Sequence, residues 1–128
     1  EANRQFVSLW ADKAEEALAS AELELASEHL SFAVNRLYYA CFYVVTALLL
    51  QDGKRYSKHS AVKSEFGRSY VKTGRVDADW YRMYQELFDA RQQGDYIPTI
   101  VFDKSVVESR LQRTKQFVDV IKLIMQGR

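Results

Sequence analysis

Cysteine, proline and glycine are all scarce in this chain of 128 residues, which contains one Cys, one Pro and five Gly. A single cysteine cannot form an intrachain disulfide, so the chain is not a disulfide-stapled scaffold and a reducing compartment, the cytoplasm, is predicted. So few turn-forming residues argue against many short strands and suit a few long helices. The length is enough for one domain, predicted to span residues 1–128, and too short for two.

Several chemical motifs are also missing. The only two histidines, His29 and His59, are distant in sequence from each other and from Cys41, so no zinc or Cys–His site is predicted. The glycines are isolated and no Glu-x-x-His pair occurs, which argues against a phosphate loop and a di-iron centre. The sequence therefore predicts no metal and no cofactor.

Membrane and export signals are absent from the pattern as well. The most apolar run, residues 37–50, is shorter than the about 20 residues that a membrane span needs. The acidic, amphipathic stretch 1–20 has no basic start followed by an apolar middle, so no signal peptide is expected. These features predict a soluble protein without a membrane partner.

Apolar residues recur at steps of three and four along most of the chain, a pattern that predicts amphipathic helices. No segment alternates at the period of a strand. We predict an all-α fold, an antiparallel up-and-down bundle of four long helices plus one shorter helix. The predicted helices are 3–26, a second between a cap at Ser27 and a stop at Gly53, a short third over 58–71, a fourth from Asp77 or Asp79 to a stop at Gly94, and a fifth from Asp103 to about Gln126.

The second predicted helix is apolar on nearly every side, so it requires burial all round. This predicts both a central position in the bundle and a role in a subunit interface. Its tyrosines, Tyr38, Tyr39 and Tyr43, suit the interface of a homodimer, because each can bury a ring while its hydroxyl finds a partner.

Charge is divided unevenly along the chain. Residues 1–28 carry seven acidic and two basic side chains, whereas residues 54–75 carry seven basic side chains and one acidic. One interpretation is that the two surfaces keep the protein soluble or attract each other across the bundle. The other is that the basic segment faces phosphate, with aromatic side chains for stacking. The residues of this second interpretation are Lys54, Arg55, Lys58, Tyr56, Phe66 and Tyr70.

Arg91 is the strongest single candidate for a functional residue. It continues the apolar stripe of the fourth helix, so its guanidinium must be paired or must lie at the edge of a cleft. Asp95 and Tyr96 follow closely, which allows either an Arg91–Asp95 pair at the end of the helix or an anion site. His59, next to Lys58 at the start of the third helix, either packs there or helps to hold a phosphate.

Four motifs in order along the chain closely resemble the HEPN domain family, over about residues 4–125. They are NRLYYACFY at 35–43, KHSAV at 58–62, Phe66 followed by YVKTG at 70–74, and RQQGDY at 91–96. The match is to the small stand-alone prokaryotic members of that family.

The resemblance implies a dimerising bundle of four to five helices. Many family members are metal-independent ribonucleases, and others bind nucleotides or are partners of minimal nucleotidyltransferases in two-gene toxin–antitoxin pairs. The ribonuclease members place a histidine four to six residues after an arginine, at the dimer cleft. Here the arginine corresponds to Arg91 and the histidine position holds Tyr96. A tyrosine, with an ordinary pKa of about 10, is a poor base at neutral pH.

The resemblance and the residues together predict an RNA- or nucleotide-binding component of such a pair, working with a nucleotidyltransferase-type partner. The predicted binding residues are Arg91, Lys58, His59, Lys54 and Arg55. One alternative is an active metal-independent endoribonuclease toxin that uses Arg91 with Asp95 and Tyr96. Another is a non-catalytic dimer that serves only to bind proteins.

Overall fold

A computed structural model describes residues 2–127, and the two ends of the predicted domain, Glu1 and Arg128, lie outside the described residues. The described chain is all-α and contains four long helices and one short one, which confirms the predicted fold class. The helices are α1 (Ala2–Ala26), α2 (Leu30–Gln51), α3 (His59–Phe66), a π-helical turn (Gly67–Val71), α4 (Ala78–Tyr96) and α5 (Lys104–Gln126).

The central position predicted for the second helix is confirmed. α2 packs against α1, α3, α4 and α5, and its interior residues from Leu37 to Cys41 are mostly inaccessible to water. By length and composition alone α2 would also pass as a membrane span, but 72% of its most apolar window is buried inside the bundle. The core helix of a soluble bundle has this same composition, because it must be apolar on every side.

Three large aromatic side chains, one each from α3, α4 and α5, meet in the core. Phe66, Tyr84 and Phe117 are completely buried, and the ring of Phe66 lies 6.0 Å from that of Tyr84 and 5.9 Å from that of Phe117. Aromatic pairs at such distances stabilise a core beyond the gain from burial alone. This cluster fixes α3 and α4 against the rest of the bundle.

The predicted cap at Ser27 is wrong. α2 begins at Leu30 after His29, and no side chain caps it. The chain reverses at Glu28, which has a φ of 61°, and the amides of Ser27 and His29 donate to the carbonyls of Leu23 and Glu24. Ser27 therefore belongs to the turn that closes α1, because these backbone hydrogen bonds satisfy the free carbonyls of that helix.

The predicted stop at Gly94 is also wrong, because α4 continues to Tyr96. A Cβ atom on Gly94 would lie 2.7 Å from Oγ of Ser31 and 3.2 Å from the ring of Phe102. The missing side chain thus lets the start of α2 and the loop before α5 approach α4 closely. This glycine serves packing, not helix termination.

Other helix ends agree with the sequence. Asp77 caps α4 by accepting a hydrogen bond from the amide of Asp79, and Gly53 follows α2 with a φ of 78°, which favours glycine. The third predicted helix is divided, since the amide of Lys72 bonds to the carbonyl of Gly67 in a wider, π-helical turn.

Candidate functional site

Arg91 lies on α4 and reaches across to α2. Its guanidinium carbon is 4.7 Å from the ring centre of Tyr38 and 5.8 Å from that of Tyr39, and its side chain is only 13% exposed. Nη1 donates to a carboxylate oxygen of Asp95 at 3.3 Å, so the predicted Arg91–Asp95 pair is present. The aromatic rings hold the cation in place by cation–π attraction, which is strongest where water is excluded.

The structure brings His59 to the same place. The hydroxyl of Tyr38 lies 2.9 Å from Nδ1 of His59, while the ring of Tyr38 lies under Arg91. The imidazole also packs at 4.2 Å between ring centres against Phe42. Arg91 and His59 therefore both contact Tyr38, Arg91 through its ring and His59 through its hydroxyl, although they come from α4 and from the start of α3.

Burial determines the protonation of this pair. It raises the pKa of Tyr38 well above the ordinary value, so the hydroxyl keeps its proton. Because Nδ1 of His59 is the only hydrogen-bond partner of this hydroxyl among the described residues, we assign the hydroxyl as the donor. Burial and the positive charge of Arg91 lower the pKa of His59 below its ordinary value of 6.5. His59 is thus neutral at pH 7, and because Nδ1 accepts from Tyr38, its remaining proton is on Nε2.

We expect Tyr38→Phe to raise the pKa of His59, because the replacement removes a hydroxyl that donates to the neutral imidazole and stabilises it. The measurement is an NMR titration of the His59 ring between pH 5 and 8, with His29 as the internal reference on the protein surface. An unchanged His59 titration would show that the Tyr38 hydroxyl does not control its protonation.

Polar side chains from α2 complete the arrangement. Nδ2 of Asn35 donates to Oδ1 of Asp95 at 3.5 Å, and Arg36 in turn donates to Oδ1 of Asn35. The first and last of the four sequence motifs therefore meet in space. We call the set Arg91, Asp95, Asn35, Tyr38 and His59 the Arg91 cluster.

Tyr96 does not join the Arg91 cluster. Its side chain is 78% exposed and makes no hydrogen bond or ring contact with the residues that the structure describes. Lys58 is also exposed, directly before α3, and Arg55 is exposed in the loop. Within the described part of the chain, no group of three or more His, Cys, Asp or Glu side chains is placed so that it could hold a metal ion.

The tyrosines predicted at a dimer interface differ in exposure. Tyr38 is completely buried inside its own chain, so it has no surface to offer a second copy. Tyr39 and Tyr43 are partly exposed, and their rings lie 5.5 Å apart on the outer side of α2. Only these two remain candidates for contact with a partner.

Two acidic side chains of α1 form ion pairs with α5 rather than with the basic segment 54–75. Acids of α1 pair with α5 instead: Lys115 lies 2.6 Å from Glu22, and Lys122 donates to Glu15. Within residues 2–127 no ion pair connects α1 to residues 54–75. Direct ion pairs therefore do not hold the described part of α1 to the basic segment, and both sequence interpretations of that segment stay predictions.

Buried Glu65 occupies part of the basic segment. Its Oε2 accepts from Ser69 and pairs with Lys54 at 3.0 Å, and its Oε1 pairs with Arg68. Phe66 and Tyr70, predicted to stack with nucleic acid, are completely buried and cannot do so, which leaves Tyr56 as the exposed aromatic of the segment.

Comparison with known proteins gives a consistent assignment. The family model described as the HEPN domain matches residues 7–124. A UPF0332 protein of Thermotoga maritima is 38% identical over 122 residues, which cover 95% of this chain and 92% of that protein. MJ0142, a protein of Methanocaldococcus jannaschii described as a candidate toxin, is 36% identical over 111 residues, which cover 87% of this chain and 76% of that protein. Another candidate toxin of that organism, MJ0605, is 29% identical over 93% of this chain and 88% of its own length.

Proposed function

Because this chain belongs to the HEPN family, we propose that it is the toxin-type component of a toxin–antitoxin pair and binds RNA or a nucleotide through the Arg91 cluster. Relatives described as candidate toxins support the first part. A nucleotidyltransferase-type antitoxin, a homodimer with Tyr39 and Tyr43 at its seam, and a cytoplasmic location belong to the same proposal.

The binding role is argued from one observation: Arg91 and His59 both contact Tyr38 and so lie close together. Arg91 supplies a fixed positive charge, and the Nε2–H of neutral His59 supplies an uncharged donor nearby. Both groups suit the oxygens of a phosphate, which a guanidinium binds through charge-assisted hydrogen bonds. Since the rings under Arg91 already restrict its side chain, little conformational entropy is lost on binding.

Binding is favoured over cleavage by the protonation of His59. A base for the ribose 2′-hydroxyl needs a free lone pair, but Nδ1 accepts from Tyr38 and Nε2 carries the proton. Cleavage through His59 would first require the proton to move to Nδ1, which would leave the buried hydroxyl hydrogen of Tyr38 without its acceptor. An unpaired buried polar group costs about 1–3 kcal/mol.

A metal-independent endoribonuclease is the second candidate function. It is favoured by one observation, the presence of an imidazole beside Arg91, where the sequence motif alone offers Asp95 and exposed Tyr96. In this case Nε2 of His59, with its proton moved to Nδ1, would take the proton of the 2′-hydroxyl, and Arg91 would stabilise the negative charge on the oxygens of the pentacoordinate phosphorus. The 2′-oxygen would displace the 5′-oxygen, which takes up a proton, to leave a cyclic phosphate.

We expect Arg91→Ala to weaken the binding of a single-stranded RNA oligonucleotide about 10- to 100-fold, since a hydrogen bond to a charged group contributes about 1.5–3 kcal/mol. The measurement is fluorescence anisotropy at low salt, where phosphate contacts are strongest, with EDTA present and with the nucleoside triphosphates tested in parallel. Arg82→Ala is the matched control, because Arg82 lies on the same helix but is exposed and paired with Asp79.

The outcomes separate the candidates. Absence of binding by the unmodified protein at low salt, or equal binding by Arg91→Ala, would contradict the proposed role. Cleavage of the RNA by the unmodified protein and not by Arg91→Ala would establish the endoribonuclease instead. Sedimentation of both proteins tests the homodimer independently of RNA.

A further inference from the structure

A concave surface lies between the start of α1, the end of α2 and the loop that leads to α3. It is a cleft of about 280 Å³. Its walls are mostly apolar and aromatic, with two basic side chains among them. The principal lining residues are Phe6, Trp10, Leu49, Leu50, Val62 and Arg55.

Nearly all the polar side chains at this cleft are already engaged. The hydroxyl of Thr46 donates to the carbonyl of Phe42 at 2.7 Å. The hydroxyl of Tyr56 and the ammonium group of Lys54 both bind the carboxylate of Glu65. The exceptions are Arg55, which is exposed, and the indole N–H of Trp10, since neither makes an ion pair or hydrogen bond with the described residues.

The small number of free polar groups decides which ligand the cleft suits. A nucleobase carries several donors and acceptors on its edge, and each one buried without a partner costs about 1–3 kcal/mol. An apolar side chain has no such groups and gains from every contact with the aromatic walls. The free guanidinium of Arg55 at the cleft adds a preference for one carboxylate nearby.

The exposed apolar surface continues beyond the cleft. Phe6 is 54% exposed, and Leu9, three residues later on α1, is 55% exposed. Residues three apart on a helix are neighbours on one face, so the exposed apolar surface extends from the cleft along α1. Lys58, the next exposed basic residue after Arg55 in this loop, adds positive charge beside it.

We propose that this cleft is the docking site for an acidic–apolar segment of a partner protein. One large apolar side chain of the segment enters the cleft, and a neighbouring Asp or Glu pairs with Arg55. The identification of the partner as the antitoxin rests on the proposed function, whereas the docking site rests on the cleft itself. The residues of the Arg91 cluster do not line it.

The test is selection of a random 12-residue peptide library displayed on phage against the purified protein. We expect enriched peptides to share a large apolar residue within a few positions of Asp or Glu. Each enriched peptide is then titrated into a Trp80→Phe variant. There Trp10, which lines the cleft, is the remaining tryptophan, so its fluorescence reports occupancy.

Two exposed positions provide variants that should fold normally. Phe6→Ser removes part of the apolar wall and should weaken peptide binding about five- to tenfold, and Arg55→Glu should weaken it at least about tenfold through charge repulsion. Leu23→Ser is the control, because Leu23 is 71% exposed on the same helix but outside the cleft. Replacing the acid of the peptide by Lys should restore binding to Arg55→Glu.

The proposal is overturned if no such motif is enriched, or if enriched peptides bind Phe6→Ser and Arg55→Glu as tightly as the unmodified protein. It is also overturned if adenosine or uridine monophosphate, and not the peptides, changes the fluorescence of Trp10, since the cleft would then hold a nucleobase. Loss of RNA binding in Arg91→Ala with normal peptide docking would support both proposals. Peptide docking without any RNA binding would contradict the proposed function alone.

Discussion

Replacing Tyr38 by alanine is expected to lower the free energy of unfolding by about 3–5 kcal/mol, the range for removing a large buried aromatic side chain. Tyr38 is completely buried, and its ring contacts those of Tyr84 at 6.2 Å and Phe88 at 5.8 Å. The cavity left behind would be lined by rigid helices that cannot collapse to fill it. Urea unfolding followed by circular dichroism measures the change, and the melting temperature should fall by about 10 °C or more.

Tyr38→Phe is the matched control for this experiment. It keeps the ring that supports Arg91 and removes only the hydroxyl that donates to His59. We expect a loss of about 1 kcal/mol, the usual net contribution of one hydrogen bond. If the phenylalanine variant were as unstable as the alanine variant, the hydrogen bond to His59 and not the packing of the ring would hold this region together.

These two variants show why the proposed binding site and the core cannot be altered independently at Tyr38. The ring that orients Arg91 is the same ring that fills the centre of the bundle. A functional test at this position would confuse lost binding with partial unfolding. Arg91 is better suited to such a test, because its side chain, although only 13% exposed, is not part of the hydrophobic core.

Periodicity alone was enough to predict the five helices, since each one buries a single stripe or, for α2, its whole circumference. The errors lie at helix ends and have a common cause. Gly94 and Ser27 carry ordinary signals for a stop and a cap, but contacts with distant segments decide their roles. A glycine needed for close packing looks the same in sequence as one that terminates a helix.

The candidate site was predictable only where its contacts are local. Arg91 and Asp95 are four residues apart on one helix, so their spacing alone indicated the pair. The contact between Tyr38 and His59 joins α2 to α3, and Arg91 arrives from α4, so no sequence spacing reveals it. The RQQGDY motif pointed to Tyr96, which stands at the histidine position of the ribonuclease members. The imidazole that lies near Arg91 instead belongs to His59 of the KHSAV motif.

Glu65 is a further residue that the sequence left unnoticed, as a single acid among seven bases. Glu65 is only 4% exposed, and its carboxylate connects Lys54, which lines the apolar cleft, with Arg68 and Ser69. Tyr56 also donates to it. Glu65 thus holds the loop that carries Arg55, the residue proposed to pair with an acidic side chain of the partner segment.

Glu65→Gln is expected to lower the free energy of unfolding by about 2 kcal/mol at pH 7, because the amide cannot replace the charge that Lys54 and Arg68 bind. In the folded protein, hydrogen bonds from Ser69 and Lys54, together with Arg68, lower the pKa of Glu65 from 4.5 to about 2. A lowered carboxyl pKa means that this stabilisation is complete above pH 4.5 and disappears as the pH falls towards 2. The advantage of the unmodified protein over Glu65→Gln should therefore be large at pH 7 and small at pH 2.5 in urea unfolding.

Glu86→Gln supplies the reference for that comparison, since Glu86 is exposed on α4 and its replacement should change stability by less than about 0.5 kcal/mol. An equal deficit of Glu65→Gln at pH 7 and pH 2.5 would mean that the shape of the side chain, not its charge, secures the loop. A deficit that disappears with acid would instead tie the geometry of the cleft to the ionised carboxylate.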